Sequence, residues 1–185
     1  MKLTRRNAIA WGVAAPAAFG QTGAIGQPPA LRAEPNRGSR QGLDLVKAFV
    51  VAGHSDRNVP KLKDMIAKDP KLVYAAWDWG GGDWETALGG AGHIGSRDAA
   101  RLLLDKGARI DAFCAAMLGE RGVVAALVAA SPAVVGARGP HGYTLLYHAA
   151  ISGDVAMAEL LKPHLDDGPK AYTQAVSAAV RGSHL

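Results

Sequence analysis

The chain has one cysteine in 185 residues. A single thiol forms no internal disulfide and no multi-thiolate zinc site, so the fold must hold without either. Aromatic residues make up only 6% of the sequence, and no long alternating run of Val, Ile, Thr or Tyr signals strands. Basic blocks are also lacking. Lys2, Arg5 and Arg6 lie in the first 26 residues, which contain no acid; without them the 21 basic residues fall to 18 against 16 acidic, a net charge of +2. Nucleic-acid binding needs a basic footprint and is not expected here. No apolar run reaches the roughly 20 residues that span a bilayer, so no stable membrane insertion is expected once the N-terminal segment is removed.

Alanine is abundant and about half the residues are apolar. Alanine is the best helix former and packs with little bulk, which points to closely packed helices. Cys114, between Phe113 and Ala115-Ala116, reads as a small apolar core residue of one of them.

The N-terminus reads as an address. Thr4-Arg5-Arg6-Asn7 precedes an apolar stretch from Ala8 to Phe19, followed by small and polar residues. This is the charged, apolar, small-residue order of a secretory signal. The pair Arg5 and Arg6 resembles a twin-arginine signal, read by a receptor that exports folded proteins. Cleavage is expected near Ala24-Ile25-Gly26 or near Ala33, which makes residues 1–26 a signal peptide and places the protein in the periplasm or outside the cell. Residues 27–42 hold Pro28, Pro29, Pro35 and Gly38 and read as a linker. The folded body is expected from Leu43 to the end.

That body contains an internal repeat. Thr86-Ala87-Leu88-Gly89-Gly90-Ala91-Gly92-His93-Ile94-Gly95 aligns with Thr144-Leu145-Leu146-Tyr147-His148-Ala149-Ala150-Ile151-Ser152-Gly153. Thr173 to Gly182 is a third copy. Ile110 to Gly119 is a fourth, without the threonine, and a looser copy ends at Gly53. After Gly95, Gly119 and Gly153 comes an amphipathic run ending in leucines or valines. Two connectors also match, Asp69-Pro70-Lys71-Leu72-Val73 and Ser131-Pro132-Ala133-Val134-Val135. Each column has a physical reading. The small pair lets one inner helix approach the next. The glycine makes the turn to an outer helix. The leucines are that helix's buried face, and the proline ends it.

The pattern resembles the ankyrin repeat, whose motif is G-x-T-P-L-H-x-A-A-x-x-G followed by an amphipathic helix and G-A. Gly142-Tyr143-Thr144-Leu145-Leu146-Tyr147-His148-Ala149-Ala150 matches with Leu145 for proline and Tyr147 for histidine. Asp83 to Ile110 matches over a whole unit, with Ala87 for proline and Gly89 for histidine. The resemblance implies an all-α solenoid of stacked helix pairs, about four and a half repeats long. It also implies a module that binds a protein partner through loop tips and inner helices, with no catalysis and no cofactor. Glycine-to-glycine spacings of 42, 24, 34 and 29 depart from a uniform period, and the third unit is too short for a projecting loop. The chain ends after the fifth inner helix. Either Ala171 to Val180 caps the stack, as solenoid ends require, or an open apolar face allows self-association.

Three tryptophans in the stretch Trp77-Asp78-Trp79-Gly80-Gly81-Gly82-Asp83-Trp84 lie where the resemblance places a projecting loop. Tryptophan is enriched in binding hot spots. Either Trp77, Trp79 and Trp84 face a partner, or one or two fold back over the first helix pair, Trp84 foremost. His141, Tyr143, Tyr147 and His148 form the equivalent region of the fourth unit. Other chemistry has little support. Gly90-Ala91-Gly92-His93-Ile94-Gly95 fits a dinucleotide pattern, but Asp83 to Thr86 does not read as the strand that must precede it. The six histidines lack metal-ligand spacing, so no metal site is assigned. A small periplasmic enzyme or metal-binding protein with a His/Asp site, and a self-associating scaffold, are the alternatives.

Overall fold

The computed structural model describes residues 40–165 and 169–182. The signal, its cleavage site and most of the linker lie outside these residues. The described chain is mostly helical. Helix α1 is Arg40–Gly53, starting just ahead of the expected boundary at Leu43, and α2 is Val59–Lys68. Strands β1 (Ala76–Asp78) and β2 (Trp84–Thr86) follow. Then come α3 (Ala87–Ile94), α4 (Arg97–Asp105), α5 (Ala112–Leu118), α6 (Arg121–Ala130), α7 (Leu145–Ser152), α8 (Val155–Leu161) and α9 (Pro169–Arg181). None of the described helices is long and apolar enough to cross a membrane.

Local chemistry sets the ends of the odd-numbered helices. Thr86 Oγ1 accepts from the Gly89 amide at 3.0 Å, and Thr144 Oγ1 accepts from the Tyr147 amide at 3.0 Å. Each threonine thereby satisfies a donor the helix leaves unpaired. In the third unit the same role falls to Asp111, whose carboxylate accepts from the Cys114 amide at 2.7 Å. The cap thus lies one residue beyond the expected start at Ile110, and α5 is shorter. At the other ends Gly95 and Gly119 take φ of 85° and 82°, a conformation glycine adopts at little cost. Thr173 is not a cap: it lies inside α9, which begins at Pro169.

Within each pair the turn returns the chain, so that α1 packs on α2, α3 on α4, α5 on α6 and α7 on α8. Between pairs, α1 touches α3, α3 touches α5, α5 touches α7 and α7 touches α9. Small residues permit these approaches. Ala91, Ala115, Ala116, Ala149 and Ala178 are all buried, and a Cβ on Gly53 would run into the Ala87 backbone. One core joins Phe49, Leu62, Leu88, Ala91 and Leu103 to Cys114 and Met117 of α5. A second joins Ala115, Val124, Leu145, Ala149, Met157 and Leu161. Cys114 is fully buried, and burial pushes its thiol up to about 12, so it is inert packing as its neighbours suggested. Polar ties also cross pairs: the Arg97 guanidinium donates to Ser152 O at 3.2 Å, and Asp56 accepts from the Ala99 amide at 2.9 Å. The two matching connectors both fold as five-residue 3₁₀ turns, Pro70–Tyr74 and Pro132–Gly136.

The sequence carried no strand signal at Trp84-Glu85-Thr86, yet these residues pair with Ala76–Asp78 in an antiparallel hairpin. Three-residue strands are too short to show alternation, and Gly80, Gly81 and Gly82, all at positive φ, turn the chain between them. α9 packs on α7 through Ala175 and Ala178, while Tyr172, Val176 and Val180 are exposed.

Candidate functional site

The hairpin register builds the site. Trp77 lies directly opposite Glu85, and Asp78 opposite Trp84. Successive side chains on a strand point to opposite faces, so Trp77, Trp79 and Glu85 share one face and Trp84 takes the other. The first face turns toward α1 and α3; Trp84 is 62% exposed. Trp84 is therefore not the packed tryptophan the sequence suggested.

Glu85 is the centre of the inner face, with its carboxylate fully buried. Oε2 lies 3.0 Å from His54 Nε2 and accepts from Trp79 Nε1 at 2.7 Å. Oε1 lies 3.0 Å from His93 Nδ1 and 3.6 Å from His141 Nε2. Neither contact gives Oε1 a directed hydrogen, and the atom has no hydrogen-bond partner. His93 Nδ1 instead donates to the Gly89 carbonyl at 3.2 Å, and His141 Nδ1 contacts Asp83 Oδ2 at 2.7 Å. Burial works to raise the Glu85 pKa; the contacts from His54, His93 and Trp79 outweigh it and hold the group at about 2. Glu85 is thus an anion at any physiological pH.

Each histidine is held by a local device. His54 follows the C-terminus of α1, and its ring packs against Gly90, where a Cβ would collide with it. This close approach accounts for one glycine of the dinucleotide-like pattern. Gly92 packs against Cys114, and Gly95 turns the chain, so the pattern has packing reasons and no phosphate cradle. His141 is the one non-glycine among the described residues at positive φ, 59°, a conformation uncommon outside glycine. Two bonds to Asp83 hold it there: its amide donates to Oδ1 at 2.8 Å and its ring meets Oδ2 at 2.7 Å. The amide bond, with the ring contact, draws the Asp83 carboxyl below its ordinary pKa.

Aromatic rings run from this centre across two units. Trp77 meets Trp79 edge-on at 6.5 Å, Trp79 meets His141 at 6.0 Å, and His141 meets His93 at 5.0 Å. His93 stacks on Tyr143 at 5.7 Å, and Tyr143 stacks on Tyr147 at 4.1 Å. Lys47 of α1 covers Trp77 and Trp79 with its ammonium 5.4 and 5.6 Å from the rings, a favourable cation–π arrangement. The third unit carries no hairpin, which leaves the fourth unit's loop in reach of the second unit's.

Of the residues singled out from sequence, Trp77, Trp79, His141 and Tyr143 come together on this surface. Tyr147 and His148 do not reach solvent, at 1% and 0% exposure, so no partner touches them directly. Tyr147 braces the site from beneath, donating to the His93 carbonyl at 2.9 Å. His148 packs against Phe113. Sequence reasoning missed His54, Glu85 and His93. The one available signal was a lone carboxylate between Trp84 and Thr86, just ahead of a helix whose only polar side chain is His93. Chemically, the arrangement offers an aromatic surface for docking and a buried anion ringed by imidazoles. No protein-family model matches the chain, and no match is found among curated proteins.

Proposed function

We propose that this chain is an ankyrin-type repeat protein of the bacterial cell envelope that binds a protein partner through one aromatic surface and performs no catalysis. The observation that carries the proposal is the convergence of Trp77 and Trp79 from one unit with His141 and Tyr143 from another. Tryptophan and tyrosine are enriched among the few residues that carry most of the energy in protein interfaces, and these four sit on braced backbone rather than a loose loop. The threonine–glycine motifs, the side-by-side packing of odd-numbered helices and the hairpin ahead of α3 all suit ankyrin architecture. The paired Arg5 and Arg6 suit export.

Capture from a cell-envelope extract tests this reading. Wild type is expected to retain a partner in stoichiometric amount, and a folded Trp77→Ala/Trp79→Ala variant to lose it. Trp84→Ala, on the opposite face, serves as the control. Equal retention by the double variant would refute the site.

The exposed residues Tyr172, Val176 and Val180, spaced four apart on α9, favour a second reading: a scaffold that self-associates through this helix. Light scattering across concentration separates the two. A mass that stays at one chain eliminates the scaffold.

A further inference from the structure

We propose that His54, Glu85 and His93 form a binding site for a zinc-class divalent transition-metal ion, with His141 as a fourth group at its open side. The first support is the donor set. Two imidazoles and a carboxylate are the nitrogen–oxygen ligands that zinc and its neighbours prefer. One donor atom from each of the three residues falls within 4.8 Å of the others. An ion with four bonds of about 2.0–2.1 Å spaces its ligand atoms by roughly 3.3 Å. The nitrogen–oxygen separations around Glu85, 3.0, 3.0 and 3.6 Å, bracket that value.

The second support is independent of the donor count. Glu85 Oε1 is buried, charged and without a hydrogen-bond partner. Native proteins rarely leave such an atom bare. His141 adds to the anomaly. With its Nδ1 hydrogen committed to Asp83 Oδ2, the ring points Nε2 toward Oε1 at 3.6 Å, and in its neutral form that nitrogen presents a lone pair. Two lone pairs so placed call for a positive centre between them.

The third support is the outer shell. Ligand histidines characteristically donate their other ring nitrogen to a carboxylate or a backbone carbonyl. His141 does so to Asp83; the His93 nitrogen nearest Glu85 is the one that bonds the Gly89 carbonyl, and it releases that bond to become a ligand. Access is available on the aromatic side, where the His54 and His141 side chains are 25% and 33% exposed while the Glu85 side chain is fully buried. The competing occupant of the gap is a proton on a histidine. The inference is independent of whether a protein partner binds nearby.

The test uses the full chain stripped with chelator and then titrated with zinc by calorimetry. Metal content after dialysis and thermal unfolding with and without zinc complete it. The expected result is one equivalent bound and a raised unfolding midpoint, because an ion that binds only the folded state stabilises it. Glu85→Gln and His54→Ala should each weaken zinc binding roughly tenfold or more, a size typical even of outer-shell losses. His164→Ala, away from the cluster, should leave binding unchanged. Cobalt(II) added to the wild type gives a readout that needs no variant: the intense visible bands of a four- or five-coordinate ion are expected. The proposal is overturned if stripped wild type binds no stoichiometric zinc and cobalt keeps the weak spectrum of the aqua ion. It is equally overturned if folded Glu85→Gln and His54→Ala bind zinc as wild type does.

Discussion

His148 is fully buried, with Nδ1 donating to the Thr144 carbonyl at 2.8 Å and Nε2 facing no partner. Burial drives its pKa down from 6.5 to about 4, because a second ring hydrogen would have nothing to bond. Between those values the unfolded imidazole holds a proton that the folded one does not. Stability is therefore full above pH 6.5 and falls as the pH drops toward 4, by a total on the order of 3 kcal/mol. Urea midpoints measured across this window should fall more steeply for wild type than for His148→Phe, which keeps a ring but cannot titrate. Parallel curves would contradict the buried neutral histidine. Cys114 gives a second check. Its thiol is buried and pushed up to about 12, so a thiol reagent should leave the folded protein unlabelled at pH 8 and label one site after denaturation. Prompt labelling of the native protein would be incompatible with the α5 packing. Cys114 was legible from its alanine and phenylalanine neighbours. Glu85 was not, because its surroundings come from four separate segments and nothing local marks them.

At the scale of elements, the helix ends were readable and the hairpin was not. A threonine, a small pair and a glycine at fixed separation are local devices, and each acts within its own ten residues at Thr86 to Gly95 and Thr144 to Gly153. Where the device changes residue, the reading slips: Asp111 caps α5 in place of a threonine. The three-residue strands depend on pairing across Gly80 to Gly82, which no period announces. Two predictions belong here. Thr144→Ala removes a cap from a buried helix end and should cost about 1 kcal/mol in denaturant unfolding, with Thr144→Ser restoring most of it. Gly53→Ala forces a methyl into the Ala87 backbone at the contact of α1 with α3. Overpacking of this kind costs roughly 1–3 kcal/mol, whereas at Gly42, where an added Cβ meets open space, the same change should not destabilise. Equal effects at the two glycines would show that α1 and α3 do not approach as described.

Across the whole described chain, each odd-numbered helix touches the next, so residues far apart in sequence share one surface. Lys47, Trp77, Trp79, His141 and Tyr143 belong to three units, and Tyr147 and Arg181 brace them from behind through a 3.2 Å hydrogen bond. The repeat explains why such a surface forms, but its register brought Asp83 to His141 only because the intervening unit carries no hairpin. The outer helices present a different face, with Val155 74% exposed and no aromatic cluster among the described residues. Site-specific photo-crosslinking in the living cell separates the two faces most directly. A benzoylphenylalanine introduced at Lys47 or at Trp77 should yield one discrete crosslinked protein, and the same group at Val155 or Leu127 should yield none. Crosslinks to that protein from the outer-helix positions, with none from Lys47 and Trp77, would contradict the aromatic surface as the docking site.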